Sequence, residues 1–175
     1  DTSVQLPPWE EGVPEWNQRD TSLHWERRME VYAAMIDRMD QGLGRIFDTL
    51  QAHNVWDNTL VIFLSDNGGS PESITGRNLN DPTVEIGLPG SYAAYRKPWA
   101  IASNTPFRRY KRWVAEGGIA SPLLMHWPEG IDATDERVDT YAHVVDIYPT
   151  LAELAQATYS DSVRALRGTN LLPII

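Results

Sequence analysis

The sequence contains no cysteine, so disulfides, thiolate metal sites and a cysteine nucleophile are all excluded within these residues. Positive charge is scarce as well: 15 Lys and Arg against 24 Asp and Glu leave a net charge of -9. That balance disfavours a nucleic-acid footprint or an anionic membrane surface as partner, and an anionic small molecule would need local positive charge. No apolar run approaches membrane-spanning length, and the opening DTSVQLPPWEEGVPEW lacks the basic and apolar regions of a secretory signal. Internal repeats and low-complexity tracts are also missing. What remains is 42% hydrophobic and 22% charged, an ordinary globular composition with enough apolar content for one core of modest size.

The stretch that organises the chain is 59–70, TLVIFLSDNGGS. Leu60, Val61, Ile62, Phe63 and Leu64 show no polar alternation, so a strand here is expected to be buried on both faces, as in a parallel sheet covered by helices. Asp66 and Asn67 then fall just past the strand's carboxyl end, where open α/β sheets bind ligands, and Gly68 and Gly69 permit a sharp turn and close backbone approach. A carboxylate beside an amide oxygen suits a hard cation. On spacing alone, a plain strand followed by a D-N-G-G turn is the commoner fate of such a tetrapeptide.

The remaining elements are read in chain order. Residues 1–20, with Pro7, Pro8, Pro14, Trp9 and Trp16, show no period and read as an extended arm pinned by its tryptophans. Over 23–51, Tyr32, Met35, Ile36, Met39, Leu43, Ile46, Phe47 and Leu50 recur at three- and four-residue steps, which predicts a long amphipathic helix with Asn54 as a left-handed cap. From 70 to 103 the period is lost among Pro71, Gly76, Pro82, Gly87, Pro89 and Gly90, giving an irregular loop able to wall or cover a substrate. Residues 121–127, SPLLMHW, read as a second buried strand, with His126 as a core or strand-end histidine rather than a ligand. Residues 141–145 read as a further short strand. Asp146 reads as the N-cap of a helix to 157 whose buried stripe is Ile147, Leu151 and Leu154, with Pro149 in its first turn.

Between the irregular loop and the second strand lies a basic, aromatic cluster, NTPFRRYKRW over 104–113, followed by Glu116-Gly117-Gly118-Ile119. In isolation such a cluster is more often a solvated basic edge than a site, yet its charge stands out in so acidic a chain.

Four pieces in this order, MEVYAAMIDRMDQGLGRI, TLVIFLSDNGG, NTPFRRYKRWVAEGGIASPLLMHWP and HVVDIYPTLAELA, resemble the later part of the catalytic domain of formylglycine-dependent sulfatases of the arylsulfatase type. The resemblance covers roughly 29–174. It implies an α/β fold, part of an alkaline-phosphatase-like, mostly parallel sheet flanked by helices, and a calcium ion beneath the sulfate group. By that resemblance Asp66 and Asn67 are metal ligands, and Lys111 contacts the sulfate and supports charge on the bridging oxygen as the ester breaks. A sulfated small molecule or glycan is then the expected substrate, and a periplasmic or secreted location fits the family. No family role attaches to Arg108, Arg109 or Arg112, which read as a solvated or packed basic face.

The sequence also departs from the family. The formylglycine of the family is made from Cys or Ser in a C/S-x-P-x-R signature, which this chain lacks; Asn104-Thr105-Pro106-Phe107-Arg108 has the spacing, with Asn at the nucleophile position, but lies inside the lysine segment. The paired aspartates and upstream histidines that complete the site are missing too. Calcium takes about six to eight oxygens, so Asp66 and Asn67 alone leave its shell incomplete. The expectation is a single partial catalytic domain over 1–175, with an N-terminal half and a C-terminal subdomain elsewhere. Two other functions stay open: phosphate or phosphonate ester hydrolysis in the same superfamily, and a catalytically inactive domain kept as a binding module.

Overall fold

The computed structural model of the chain describes residues 13–74, 81–132, 137–157 and 167–174. Its helices are α1 (Trp25–Ala52), α2 (Arg96–Asn104), α3 (Glu116–Ile119) and α4 (Ile147–Leu154), and its strands are β1 (Val61–Leu64) and β2 (Leu123–His126). Contacts divide the chain into two units, one drawn from Asp1–Trp56 and Ile62–Leu124, the other from Asp57–Val61 and Met125–Ile175.

The first unit is built on α1, whose bounds follow the three- and four-residue apolar spacing closely. Its C-terminus is closed as the sequence implies: Asn54 adopts φ +55, its N–H donates to the Gln51 carbonyl at 2.9 Å, and the Val55 N–H donates to the Leu50 carbonyl at 3.1 Å. That paired pattern satisfies carbonyls the helix itself cannot bond. Near its N-terminal end, α1 anchors the chain that leads into α2. Arg27 Nε donates to the Ile86 carbonyl at 3.1 Å, an Arg28 guanidinium N–H to the Ala94 carbonyl at 2.6 Å, and the Trp99 indole to the Trp25 carbonyl at 2.9 Å. Tyr32 and Tyr95 stack with centroids 4.9 Å apart. The loop after residue 80 is therefore tied down at several points. Further along α1, Met35, Ile36, Met39 and Ile46 are exposed.

Several elements differ from their sequence reading. α2 occupies 96–104, over the end of the stretch read as irregular. Nine residues with Pro98 in the first turn give too short a window for a period to show, and a proline there loses no helical hydrogen bond. The arm read over 1–20 contains a 3₁₀ turn, Trp16–Gln18, and its first 12 residues lie outside the described ones. Trp16 meets the Trp99 ring at 5.7 Å and carries the Arg19 guanidinium on its face at 3.9 Å, so this tryptophan does pin the arm. The expected parallel sheet is not what the described strands form. β1 and β2 pair with each other as a two-stranded sheet. Their flanks run antiparallel: Gly68 past the end of β1 bonds Gly118 ahead of β2, while Asp57 ahead of β1 bonds Glu129 past the end of β2. An apolar run predicts a strand and its burial, but not its partner's direction. Nor is β1 fully covered, since Phe63 is 42% exposed.

The second unit is centred on α4. Residues 141–143 form no strand, and a 3₁₀ turn, Val144–Asp146, leads directly into the helix. Asp146 does not cap α4 with its side chain; its carboxylate turns back to accept the His143 N–H at 2.6 Å and reaches Thr169, whose N–H donates at 2.7 Å. The buried residue of α4 is Thr150, whereas Leu151, expected in the buried stripe, is exposed. His126 ends β2 in an exposed position, the strand-end alternative rather than a core histidine.

Candidate active site

Asp66, Asn67 and Lys111 belong to one unit, and backbone hydrogen bonds bring their loops together. The chain leaves β1 and enters the D-N-G-G loop directly. There Gly68 N–H donates to the Gly118 carbonyl at 3.0 Å, and Lys111 N–H donates to the Gly69 carbonyl at 3.1 Å. A third loop bond, Gly117 N–H to the Arg108 carbonyl at 2.8 Å, draws the start of α3 against the basic segment. The D-N-G-G loop, the lysine loop and the Gly-Gly turn of α3 are thus layered backbone on backbone.

That layering explains the glycines. A Cβ at Gly68 would overlap the Gly117 carbonyl, and one at Gly117 would overlap the carbonyls of Arg108 and Arg109. Neither contact can be relieved by a rotamer change, because the obstacle is main chain. Tyr95 lies on another side of the D-N-G-G loop, its hydroxyl occupying the space a Cβ at Gly69 would need. Burial pushes the Tyr95 phenol above its ordinary value, partly offset by hydrogen bonds with the Ser103 side chain and the Ser70 backbone.

The lysine loop is held in an unusual backbone conformation. Arg109 and Arg112, flanking Tyr110 and Lys111, have φ of +71 and +84, a region that residues with a Cβ seldom adopt. Their side chains are engaged: the Arg109 guanidinium lies 4.3 Å from the Trp113 ring centroid, and Arg112 pairs with Glu72 at 2.6 Å. Arg109 thus fits the packed, and the largely exposed Arg112 the solvated, basic face expected of them. Lys97 also has a partner, the Tyr110 ring at 5.9 Å. Against this background the polar heads of Asp66, Asn67 and Lys111 have no protein partner among the described residues. Asp66 is exposed, and Asn67 and Lys111 are half-buried.

The donor set fits part of a hard-cation site. Asp66 and Asn67 offer adjacent, unengaged oxygen ligands, but among the described residues no group of three or more His, Cys, Asp or Glu could close a shell around a metal ion. No helix among the described residues is long and apolar enough to cross a membrane.

One polar residue of this region escaped the sequence reading. Asn104, noted there only for standing at the nucleophile position of a look-alike spacing, puts its side chain between the two loops: Oδ1 accepts the Gly69 N–H at 2.9 Å and Nδ2 donates to the Arg109 carbonyl at 3.0 Å. The glycine pairs at 68–69 and 117–118 were the visible signals that two backbones meet here.

An α/β chain whose strand opens into an acid-amide-glycine-glycine loop, with a lysine loop bonded to it, is what the sulfatase sequence pattern describes. Comparison with known proteins gives the same family: the Sulfatase family model matches residues 6–157. The chain belongs to the sulfatase family. It is 36% identical over 160 residues to a sulfatase of Schizosaccharomyces pombe, covering 85% of this chain and 29% of that protein. An arylsulfatase of Klebsiella aerogenes is 34% identical over 176 residues, 95% of this chain and 36% of its own length. The human N-acetylgalactosamine-6-sulfatase is 31% identical over 144 residues, 82% of this chain and 23% of its own. The chain therefore spans about a third or less of these relatives.

Proposed function

We propose that the protein containing this chain hydrolyses sulfate esters, converting a sulfated alcohol, phenol or glycan into the free hydroxyl compound and inorganic sulfate. The observation that carries this reading is the bond between Lys111 N–H and the Gly69 carbonyl. It fixes an ammonium-bearing loop against an oxygen-ligand loop while leaving Lys111, Asp66 and Asn67 without protein partners among the described residues. Sulfatase relatives over most of the chain support the same reading.

In this proposal Asp66 and Asn67 would provide two of the oxygens that hold a calcium ion, which when bound would supply positive charge to the sulfate group. Lys111 contacts the sulfate and stabilises negative charge that develops on the bridging oxygen as its bond to sulfur breaks. An ammonium suits that position because it is a compact charge with freely rotating donors. Arg112 and Arg109, held by Glu72 and Trp113, shape the loop rather than meet the ester. The remaining calcium ligands and the formylglycine nucleophile come from sequence outside this chain.

The test compares kcat/KM of the full-length protein on an aryl sulfate and on the aryl phosphate with the same leaving group. A higher value on the sulfate is expected. A higher value on the phosphate would replace this reading with phosphomonoester hydrolysis, since both are tetrahedral anions that a metal and a lysine accept. Turnover of neither would leave the binding-module reading.

A further inference from the structure

Asn104 is the last residue of α2, and both ends of its amide are used on main chain from different loops. The assignment of oxygen and nitrogen is fixed by the partners, because the Gly69 N–H can only donate and the Arg109 carbonyl can only accept. Gly69 is then bonded on both sides, through its N–H to Asn104 and through its carbonyl to the Lys111 N–H. Asn67 lies two residues before Gly69, and Lys111 two residues after Arg109.

The Arg109 turn needs such a restraint. At φ +71 its backbone is in a region that an arginine leaves unless its surroundings hold it. Three contacts do so: the Asn104 amide and the Gly117 N–H grip the carbonyls of Arg109 and Arg108, and the guanidinium packs on Trp113. The Asn104 amide joins this turn directly to the D-N-G-G loop.

Resting on the function proposed above, we propose that Asn104 is a positioning residue for Lys111. It sets the placement of the ammonium over the ester by bracing the lysine loop against the D-N-G-G loop. It touches no substrate itself, and its effect on turnover runs through Lys111.

The experiment is a double-mutant cycle in the full-length protein, read as kcat on an aryl sulfate, with thermal melting of every variant as control. Asn104→Ala is expected to lower kcat about 10- to 100-fold, the range typical when a group orienting an active-site residue is removed. In the Lys111→Ala background the same change is expected to lower kcat by less than about twofold, because the lysine it positions is gone. An equal fractional loss in both backgrounds would overturn the proposal, since a purely structural role damages the protein whether or not the lysine is present. Asn104→Asp keeps an acceptor for the Gly69 N–H while removing the donor to Arg109, and it carries the cycle if the alanine variant fails to fold. Should Lys111→Ala leave kcat within a few-fold of wild type, the function reading fails and the role of Asn104 falls with it. An additive cycle on a lysine that does matter overturns the Asn104 assignment alone.

Discussion

Thr150 has no exposed surface, although it is a polar residue on an eight-residue helix. Its hydroxyl donates to the Asp146 carbonyl at 2.7 Å and accepts the Leu171 N–H at 2.9 Å, fastening the segment after residue 167 to α4. Thr150→Val keeps the shape and removes both bonds, leaving the Leu171 N–H buried without an acceptor. The expected loss is about 1–3 kcal/mol in urea unfolding, with faster hydrogen exchange at the Leu171 amide. Unchanged stability and exchange would show that the bond contributes nothing. At this scale the sequence offers candidates where a residue's chemistry is its own. Asp66, Asn67 and Lys111 stand out as candidates by charge, ligand type and motif. Asn104 and Thr150 could not, because their roles depend on main-chain partners 35 and 21 residues away.

Among elements, α1 could be read within two residues of its bounds because 28 residues give its apolar period many repeats. α2 could not, with nine residues and an early proline. The two strands that form were found, a third expected over 141–145 is absent, and the pairing was not read: local apolar content is blind to direction, and the antiparallel register is set by the backbone contacts of Gly68 with Gly118 and of Asp57 with Glu129. The turn into α4 carries a pH prediction. The N–H groups of Thr169 and then His143 stabilise the Asp146 carboxylate and hold its pKa below the ordinary aspartate value. A carboxyl group depressed in the folded state stabilises the fold above its unfolded pKa, near 3.9, and loses that contribution as pH falls through the lower folded value. Asp146→Asn is therefore expected to unfold at lower urea than wild type at neutral pH, with the gap narrowing below about pH 4. A gap that stays constant or widens on acidification would contradict the role given to the charge.

Across the whole molecule, a net charge of -9 coexists with Arg96, Lys97, Arg108, Arg109, Lys111 and Arg112 in a stretch that contains no acid. A sulfate ester, as proposed, would call on this local positive charge, and the structure shows how these residues are divided. Arg109 and Arg112 are occupied in holding the loop, Lys97 lies over an aromatic ring, and Lys111 has no protein partner among the described residues. The proposed chemistry depends on that lysine acting with the D-N-G-G loop on a sulfate ester. The most direct measurement is kcat of Lys111→Ala in the full-length protein on an aryl sulfate, with melting temperature measured alongside. A loss of about 10²- to 10³-fold is expected, as when one preorganised donor to developing charge is removed, with the melting temperature unchanged. Turnover within a few-fold of wild type would contradict it.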